Sequence, residues 1–191
     1  MNFADVTFAI LAGGRGSRLG GCPKGLLEVR GQTILSLQLR SASSFKNRVL
    51  VADDAVPYSQ FEIAIVPDVE PGFGAPGGLI SALVAARTPW VLVVGCDMPF
   101  ITEALFTTLM TLDELAYDVG CFTRACHSEP LCALYRQALG ALWRPRLAQQ
   151  RSLRTLLASV RVWSEPVSDG HLLDSLNSPA DLERHGAVRK F

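Results

Sequence analysis

Glycines and cations are concentrated in one short segment near the start of the chain. The apolar run 6–11 leads directly into Gly13-Gly14, and glycine lets a phosphate approach backbone N–H groups because it carries no Cβ atom. Three cations then follow within ten residues, at Arg15, Arg18 and Lys24. A strand that ends in such a segment predicts a site for a compact polyanion such as a nucleoside triphosphate.

This glycine segment differs from two common phosphate-binding motifs. The Walker A motif needs Gly-Lys-Ser/Thr after its spacer, and GxGxxG needs glycine where Leu19 stands. The residues alone leave two interpretations open: the backbone and cations bind phosphate, which we favour, or the segment is a glycine turn with solvated arginines.

Asp97 is the second residue that could take part in chemistry, because it closely follows the uninterrupted apolar run 90–94. A carboxylate at the end of a buried strand is costly unless a cation or hydrogen-bond donors meet it. Mg²⁺ prefers carboxylate oxygens and bridges substrate phosphates, so Asp97 is a candidate magnesium ligand. A carboxylate that caps the turn before Pro99 is an equally open alternative. Asp68 has the same two interpretations, and there the sequence favours the turn.

The cysteines and histidines give no metal motif. Five cysteines, an odd number, lack the CxxC pairs of a zinc site, so the sequence predicts no structural metal. Cys96 and Cys132 lie in apolar runs and are predicted to be reduced core residues. His127 and His171 have no partner that their spacing identifies, and we expect both to be exposed in loops.

Length and composition predict one domain over residues 1–191, since 191 residues with 49% apolar composition can bury one substantial core. The 18 basic and 18 acidic residues argue against a nucleic-acid or membrane-surface binder, which would show a basic excess. The first residues lack a signal-peptide pattern, and no apolar stretch reaches the roughly 20 residues of a membrane span. A cytoplasmic protein is therefore expected.

Apolar runs and helical periodicity alternate along the chain. Strands are predicted at 6–11, 48–53, 62–67, 90–94, 119–123 and 131–135. Helices are predicted at 31–44, 79–87, 102–112 and 137–149, with a further helix start at Ser178, Pro179 and Asp181. This order predicts an α/β fold with a doubly wound, mostly parallel sheet, helices on both faces and one late antiparallel strand. Ligands bind beyond the carboxyl ends of such strands, so Gly13-Gly14, Asp68 and Asp97 should share one cleft.

Several ordered motifs resemble one family, the MobA-type nucleotidyltransferases or molybdenum cofactor guanylyltransferases. The first is Leu11-Ala12-Gly13-Gly14 with Arg18, Gly20-Gly21 and Lys24-Gly25-Leu26-Leu27. The others are Asp68 before the glycine-rich segment 74–78, Cys96-Asp97-Met98-Pro99-Phe100, and the segments 129–135, 151–154 and 176–182. Together they cover nearly the whole chain.

The resemblance implies transfer of GMP from GTP to the phosphate of molybdenum-molybdopterin, with pyrophosphate released. It implies Lys24, Arg18 and Asp97 as catalytic residues, with Mg²⁺ on Asp97. It implies nucleotide contacts by Leu11, Ala12, Gly13, Gly14, Arg15, Lys24, Asp68, Gly78 and Asp97. It implies acceptor contacts by Arg151, Arg154 and Asn177. Transient contact with molybdenum-insertion proteins or molybdoenzymes is expected as well.

Three positions depart from the family pattern. Pro23 precedes the lysine where guanylyltransferases commonly have aspartate, and Pro-Lys is shared by related cytidylyltransferases. An expected strand-end asparagine is replaced near Ala52 or Asp53, and Glu129 stands in place of a histidine. A cytidylyltransferase therefore remains an alternative, as does a non-catalytic accessory protein that binds the nucleotide or cofactor.

Overall fold

The computed structural model describes residues 1–13 and 21–189. Within these ranges the strands are β1 (Val6–Leu11), β2 (Glu28–Val29), β3 (Gln32–Thr33), β4 (Asn47–Val51), β5 (Ala64–Val66), β6 (Trp90–Gly95), β7 (Val119–Arg124), β8 (His127–Arg136), β9 (Val162–Pro166) and β10 (Ala187–Val188). The α-helices are α1 (Ile34–Ser41), α2 (Ala75–Ala85), α3 (Glu103–Leu109), α4 (Leu139–Trp143), α5 (Leu153–Leu157) and α6 (Pro179–His185).

A seven-stranded sheet in the order β5-β4-β1-β6-β8-β7-β9 forms the centre of the molecule. β1 pairs in parallel with β4 on one side and with β6 on the other. β8 pairs antiparallel with both β6 and β7, whereas β9 is parallel to β7. The sheet is therefore mostly parallel with one reversed strand late in the chain, and the predicted fold class is confirmed.

Both faces of this sheet are covered, which explains why its central strands are apolar without alternation. Phe8 and Ile10 of β1 face one cluster with residues of α1 and α3. Ala9 and Leu11 face a second cluster with residues of α2, α4 and α5. Successive side chains of a strand point to opposite faces, so every residue of β1 is buried.

A small antiparallel sheet, in the order β10-β2-β3, packs beside the main sheet. Its core includes Leu27 and Val29, together with Leu176 and Leu182 near α6. α6 begins as predicted: the Ser178 hydroxyl accepts from the Asp181 N–H, Asp181 accepts from the Ser178 N–H, and Pro179 is the first helical residue. The C-terminal segment is thereby tied to residues near position 27.

Several predicted boundaries are wrong, for identifiable reasons. α2 begins at Ala75 rather than 79, because Pro76 fits the first helical turn and Gly74, at φ 61°, forms the preceding turn. The helix predicted over 31–44 is limited to 34–41, since Thr33 is its N-cap. The helix predicted over 137–149 is divided into α4 and a 3₁₀ turn at Arg144–Arg146. Strand β9 and the small sheet were not predicted.

In the described part of the chain, none of the helices is both long enough and apolar enough to cross a membrane.

Candidate active site

The candidate site lies at the carboxyl ends of β1 and β6, where Leu11 pairs with Gly95. From β1 the chain proceeds to β4 and β5 on one side and then returns to β6 on the other. The carboxyl edge at such a switch point opens a crevice in parallel sheets. Ala12 and Gly13 leave β1 at this crevice, and Asp97 follows β6 there.

Lys24 connects three of the predicted residues. Its ammonium group donates to Asp97 Oδ2 at 3.0 Å and to Asn177 Oδ1 at 2.5 Å. Lys24 opens a 3₁₀ turn directly after Pro23, whose ring holds φ at −61°. The Lys24 and Asp97 side chains are 23% and 15% exposed, so the pair is partly shielded but still accessible to solvent. The structure thus brings Lys24, Asp97 and Asn177 into one polar cluster.

The turn that carries Asp97 is held by hydrogen bonds from Gln38, a fully buried residue of α1. The Gln38 amide donates to Gly95 O at 2.7 Å and to Met98 O at 3.0 Å, on either side of Asp97. Gln38 was not among the site residues predicted from the sequence. Its signal is a polar side chain four positions after Ile34, on the buried face of an otherwise apolar helix.

Asn177 is oriented by the N-terminus of α6. Its backbone N–H donates to Asp181 Oδ2 at 3.0 Å, and its side-chain amide donates to the Ser175 hydroxyl at 2.7 Å. These bonds direct the amide oxygen toward Lys24. Hydrogen bonds, above all from the Ser178 hydroxyl, lower the pKa of Asp181 and keep its carboxylate charged. The predicted cap therefore also places a polar group of the site.

Asp68 follows β5 and forms the turn that the sequence favoured. Its Oδ1 accepts from the Glu70 N–H at 2.9 Å and from the Ser81 hydroxyl at 2.7 Å. A cleft of about 540 Å³ opens beside it. The cleft is lined by Ala12, Gly13, Gly21, Pro23, Ala52, Asp53, Asp54, Pro57, Tyr58, Asp68, Pro71, Gly72 and Gly74. The strand ends of β1, β4 and β5 thus contribute to one cleft, which Gly13 and Asp68 share as predicted, whereas Asp97 is not among its described lining residues.

Leu11 and Gly78 contact each other rather than line this cleft. A Cβ added at Gly78 would lie 3.6 Å from the Leu11 side chain. Gly14, Arg15 and Arg18, also predicted to contact the nucleotide or to act in catalysis, lie outside the described residues.

A second cavity, of about 800 Å³, opens on the other side of the start of α2. Ala75 and Pro76 line this cavity, whereas the preceding Gly74 lines the first cleft. Arg154 contributes to the second cavity, and the Arg151 guanidinium stacks 4.9 Å above the Phe73 ring. Of the two arginines predicted to contact the acceptor, Arg154 therefore lines the second cavity, and neither lines the 540 Å³ cleft.

The cysteines are free, and Cys126 is the exposed one among them. Burial raises the pKa of the Cys96 thiol to about 12, and the neighbouring Asp97 carboxylate adds to this effect. Cys96 is therefore a neutral thiol at pH 7. His171 is exposed, as expected, and its Nδ1 lies 3.1 Å from Asp174 Oδ2, a partner that its spacing did not identify.

Comparison with known proteins shows which family the chain matches. Residues 8–166 match the MobA-like NTP transferase domain. This chain belongs to the MobA-like NTP transferase family. Membership confirms the resemblance drawn from the sequence motifs and makes the protein a nucleotidyltransferase.

Relatives of this MobA-like protein match over nearly their whole length. A molybdenum cofactor guanylyltransferase from Cupriavidus metallidurans is 30% identical over 97% of both chains. Another from Pseudomonas putida is 30% identical, over 91% of this chain and 94% of its own. The crystal structure of molybdopterin-guanine dinucleotide biosynthesis protein A from Archaeoglobus fulgidus shares the fold with a TM-score of 0.80, at 24% identity over 94% and 96% of the chains.

Proposed function

We propose that this protein transfers GMP from GTP to the phosphate of molybdenum-molybdopterin, forming molybdopterin guanine dinucleotide and pyrophosphate. One observation carries the proposal: Lys24, Asp97 and Asn177 meet at the carboxyl edge of β1 and β6, at positions that fit nucleotidyl transfer. The near full-length match to relatives named molybdenum cofactor guanylyltransferase supports a role in molybdenum cofactor biosynthesis.

The 540 Å³ cleft is the proposed nucleotide site. A Cβ added at Gly13 would meet no atom of the described residues within 4 Å, which supports the approach of phosphate oxygens to the backbone there. Asp53 and Asp54 line the same cleft with carboxylates. Guanine presents two adjacent N–H donor groups to such acceptors and cytosine presents one, which supports GTP as the nucleotide.

The reaction forms and breaks one phosphorus–oxygen bond. An oxygen of the acceptor phosphate attacks the α-phosphorus of GTP, and the bond to the oxygen that bridges the α- and β-phosphorus breaks. Pyrophosphate leaves with that electron pair. Lys24 is proposed to stabilise the charge that develops on the phosphate oxygens, a term worth orders of magnitude in rate. Arg18 is proposed to share this role, and no covalent enzyme intermediate is required.

Asp97 fits the Mg²⁺ ion that such a reaction requires. Its carboxylate is partly shielded at a strand end, and Gly95 leaves room for it, because a Cβ there would lie 2.9 Å from Asp97 Oδ1. Carboxylate oxygen is the ligand that Mg²⁺ prefers. When bound, Mg²⁺ supplies charge neutralisation to the triphosphate.

The acceptor is proposed to occupy the 800 Å³ cavity, where Arg154 offers a guanidinium to a phosphate. Arg151, which packs on Phe73, precedes Ser152 at the edge of this cavity and is proposed to contact the acceptor as well. Asn177 is proposed to contact the acceptor while its amide oxygen holds Lys24. Transient contact with molybdenum-insertion proteins or molybdoenzymes remains a prediction.

The proposal is tested with purified protein, Mg²⁺ and molybdenum-loaded molybdopterin, with GTP or CTP in separate reactions. Dinucleotide cofactor and pyrophosphate are both quantified, and product with GTP alone supports the proposal. Product with CTP alone would replace it by a cytidylyltransferase, the alternative that Pro23 suggests. Nucleotide binding without pyrophosphate release at saturating acceptor would overturn it in favour of a non-catalytic carrier.

A further inference from the structure

A cluster of two imidazoles and one carboxylate lies apart from the Lys24 cluster. Asp174 Oδ2 is 3.1 Å from His171 Nδ1 and 3.6 Å from His185 Nε2. Each of the three residues offers one ligand atom, and these atoms all lie within 4.8 Å of one another. The three come from two places in the chain: His171 and Asp174 from the 3₁₀ turn Gly170–Leu173 and its C-cap, and His185 from the end of α6.

Neighbouring side chains fix the orientation of these three groups. Phe100 packs against both imidazoles in tilted arrangements, with ring centroids 4.1 Å from His171 and 5.0 Å from His185. Arg124 holds the other carboxylate oxygen, Asp174 Oδ1, at 2.7 Å. Such outer contacts orient metal ligands in known sites. Asp174 Oδ2 is therefore directed toward both histidines.

One arginine faces two carboxylates beside this cluster. Arg124 is shared between Asp174 and Glu129, so its charge is divided between two carboxylates. The contact from His185 Nε2 to Asp174, at 3.6 Å, is longer than a hydrogen bond. In its neutral Nδ1–H tautomer, that imidazole has a lone pair on Nε2 to offer toward the shared centre.

We propose that His171, Asp174 and His185 bind one divalent transition-metal ion of the Zn²⁺ class. Two imidazoles and a carboxylate are ligands that Zn²⁺ and its neighbours in the first row accept, whereas Mg²⁺ prefers oxygen ligands. Zinc bonds of about 2.0–2.2 Å place tetrahedral ligand atoms about 3.3–3.5 Å apart, close to the two distances from Asp174. A fourth position is left to water.

A metal ion bound here would stabilise the part of the chain that carries Asn177 into the candidate active site. Asp174 lies three positions before Asn177, and the intervening Leu176 N–H donates to Asp97 O at 2.9 Å. Phe100 follows the Asp97 turn on the other side. A bound ion would therefore join α6 to the loop before it, both of which position Asn177. This is independent of which nucleotide the enzyme uses.

The test uses the tag-free full-length protein after treatment with a chelator, with Co²⁺ as a spectroscopic probe. We expect visible d–d absorption that saturates at one equivalent, disappears when Zn²⁺ is added and persists in excess Mg²⁺. Zn²⁺ should also raise the melting temperature, because an ion that binds only the folded chain stabilises it. Absence of the Co²⁺ band would overturn the proposal, as would an intense thiolate charge-transfer band, which would place the ion on a cysteine.

Variants assign the ligands. His185→Asn should weaken Co²⁺ affinity by at least about tenfold, and His171→Asn should do the same. His127→Asn is the matched control, because His127 lies in the β7–β8 hairpin outside the cluster and should leave the affinity unchanged. Unaltered affinity in folded His185→Asn and His171→Asn proteins, or its loss in His127→Asn, would overturn the assignment. Circular dichroism checks that each variant is folded.

Discussion

Lys24 Nζ lies 3.0 Å from Asp97 Oδ2, so the cation proposed to hold phosphate and the carboxylate proposed to hold Mg²⁺ are direct partners. The same ammonium group also donates to Asn177. Lys24 therefore keeps one polar contact when Asp97 exchanges its contact with the lysine for one with Mg²⁺. Binding of a magnesium–nucleotide complex would give each partner a new counter-charge at once. Nucleotide and metal should therefore bind cooperatively at this site.

The substitution Asp97→Asn tests the proposed metal ligand. Asparagine keeps the size of the side chain and an oxygen that Lys24 can reach, but it removes the charge that Mg²⁺ needs. We expect turnover to fall by about 10²-fold or more and the required Mg²⁺ concentration to rise. Initial rates across a Mg²⁺ series measure both effects. Full activity in a folded variant would contradict the role of Asp97.

The substitution Lys24→Gln separates charge stabilisation from metal binding. Turnover should fall by about 10²-fold because the transition state loses a cation. The Mg²⁺ concentration for half-maximal rate should fall as well, since Asp97 no longer has a competing ammonium partner. Lys46→Gln is the control, because Lys46 is exposed at the protein surface. If Lys24→Gln instead needed more Mg²⁺ for its half-maximal rate, Lys24 would not compete with Mg²⁺ for Asp97.

The substitution Gln38→Met tests the support beneath Asp97. Methionine fills a similar volume but cannot donate to Gly95 O and Met98 O, which should cost about 1–3 kcal/mol in the free energy of unfolding. Because the turn then loses its brace, the Mg²⁺ requirement should also increase. Urea unfolding and Mg²⁺-dependent rates are the measurements, with exposed Gln60→Met as the control. A loss of stability with unchanged Mg²⁺ dependence would restrict Gln38 to a purely structural role.

Two adjacent glycines in α2 should respond in opposite ways to alanine. A Cβ at Gly77 would lie 2.5 Å from Glu70 O, so Gly77→Ala should destabilise the fold by about 1–3 kcal/mol. A Cβ at Gly78 meets only ordinary contacts with Leu11, so Gly78→Ala should be neutral or stabilising by up to about 1 kcal/mol. Thermal unfolding of the two variants compares them. Equal effects of the two substitutions would show that the backbone at Glu70 can move away from the added Cβ at little cost.

The Asp118 carboxylate should make stability depend on pH. Hydrogen bonds from Arg161 lower the pKa of Asp118 below its ordinary value of 3.8. Since the folded state favours the charged form, this stabilisation is complete above the ordinary pKa and is lost as the pH falls through the lowered one.

Asp118→Asn should therefore cost about 1 kcal/mol at pH 7, a value reduced by solvent because Arg161 is 57% exposed. The difference from the unmodified protein should shrink in acid. Urea unfolding at pH 7 and pH 3 measures it, with exposed Glu62→Gln as the control. A constant difference at both pH values would exclude the Asp118 charge as its source.

The sequence predicted the parts of the fold that local patterns determine. The apolar runs of β1 and β6 and the cap at Ser178 were correctly placed, because burial on both faces and capping leave direct signals. The start of α2 was misplaced, since glycine and proline are typical both of loops and of a first helical turn. β9 was missed because its partly exposed residues show little apolar pattern.

The candidate site was predicted one residue at a time, but its contacts were not. The motifs singled out Lys24, Asp97 and Asn177, whereas their hydrogen bonds join residues 73 and 153 positions apart. Gln38 acts through two backbone carbonyls, and His185 was left without a role because its partners are distant in sequence. Tertiary contacts of this kind have no local signature in a single sequence.

The contact between Lys24 and Asn177 also determines when this pocket can exist. A chain still emerging from the ribosome, or one cut before residue 177, contains the glycine segment and Asp97 but lacks the group that anchors the lysine. Contacts of such long range form late, since the intervening chain must be ordered first. We therefore expect the polar cluster of Lys24, Asp97 and Asn177 to be complete only after α6 has docked.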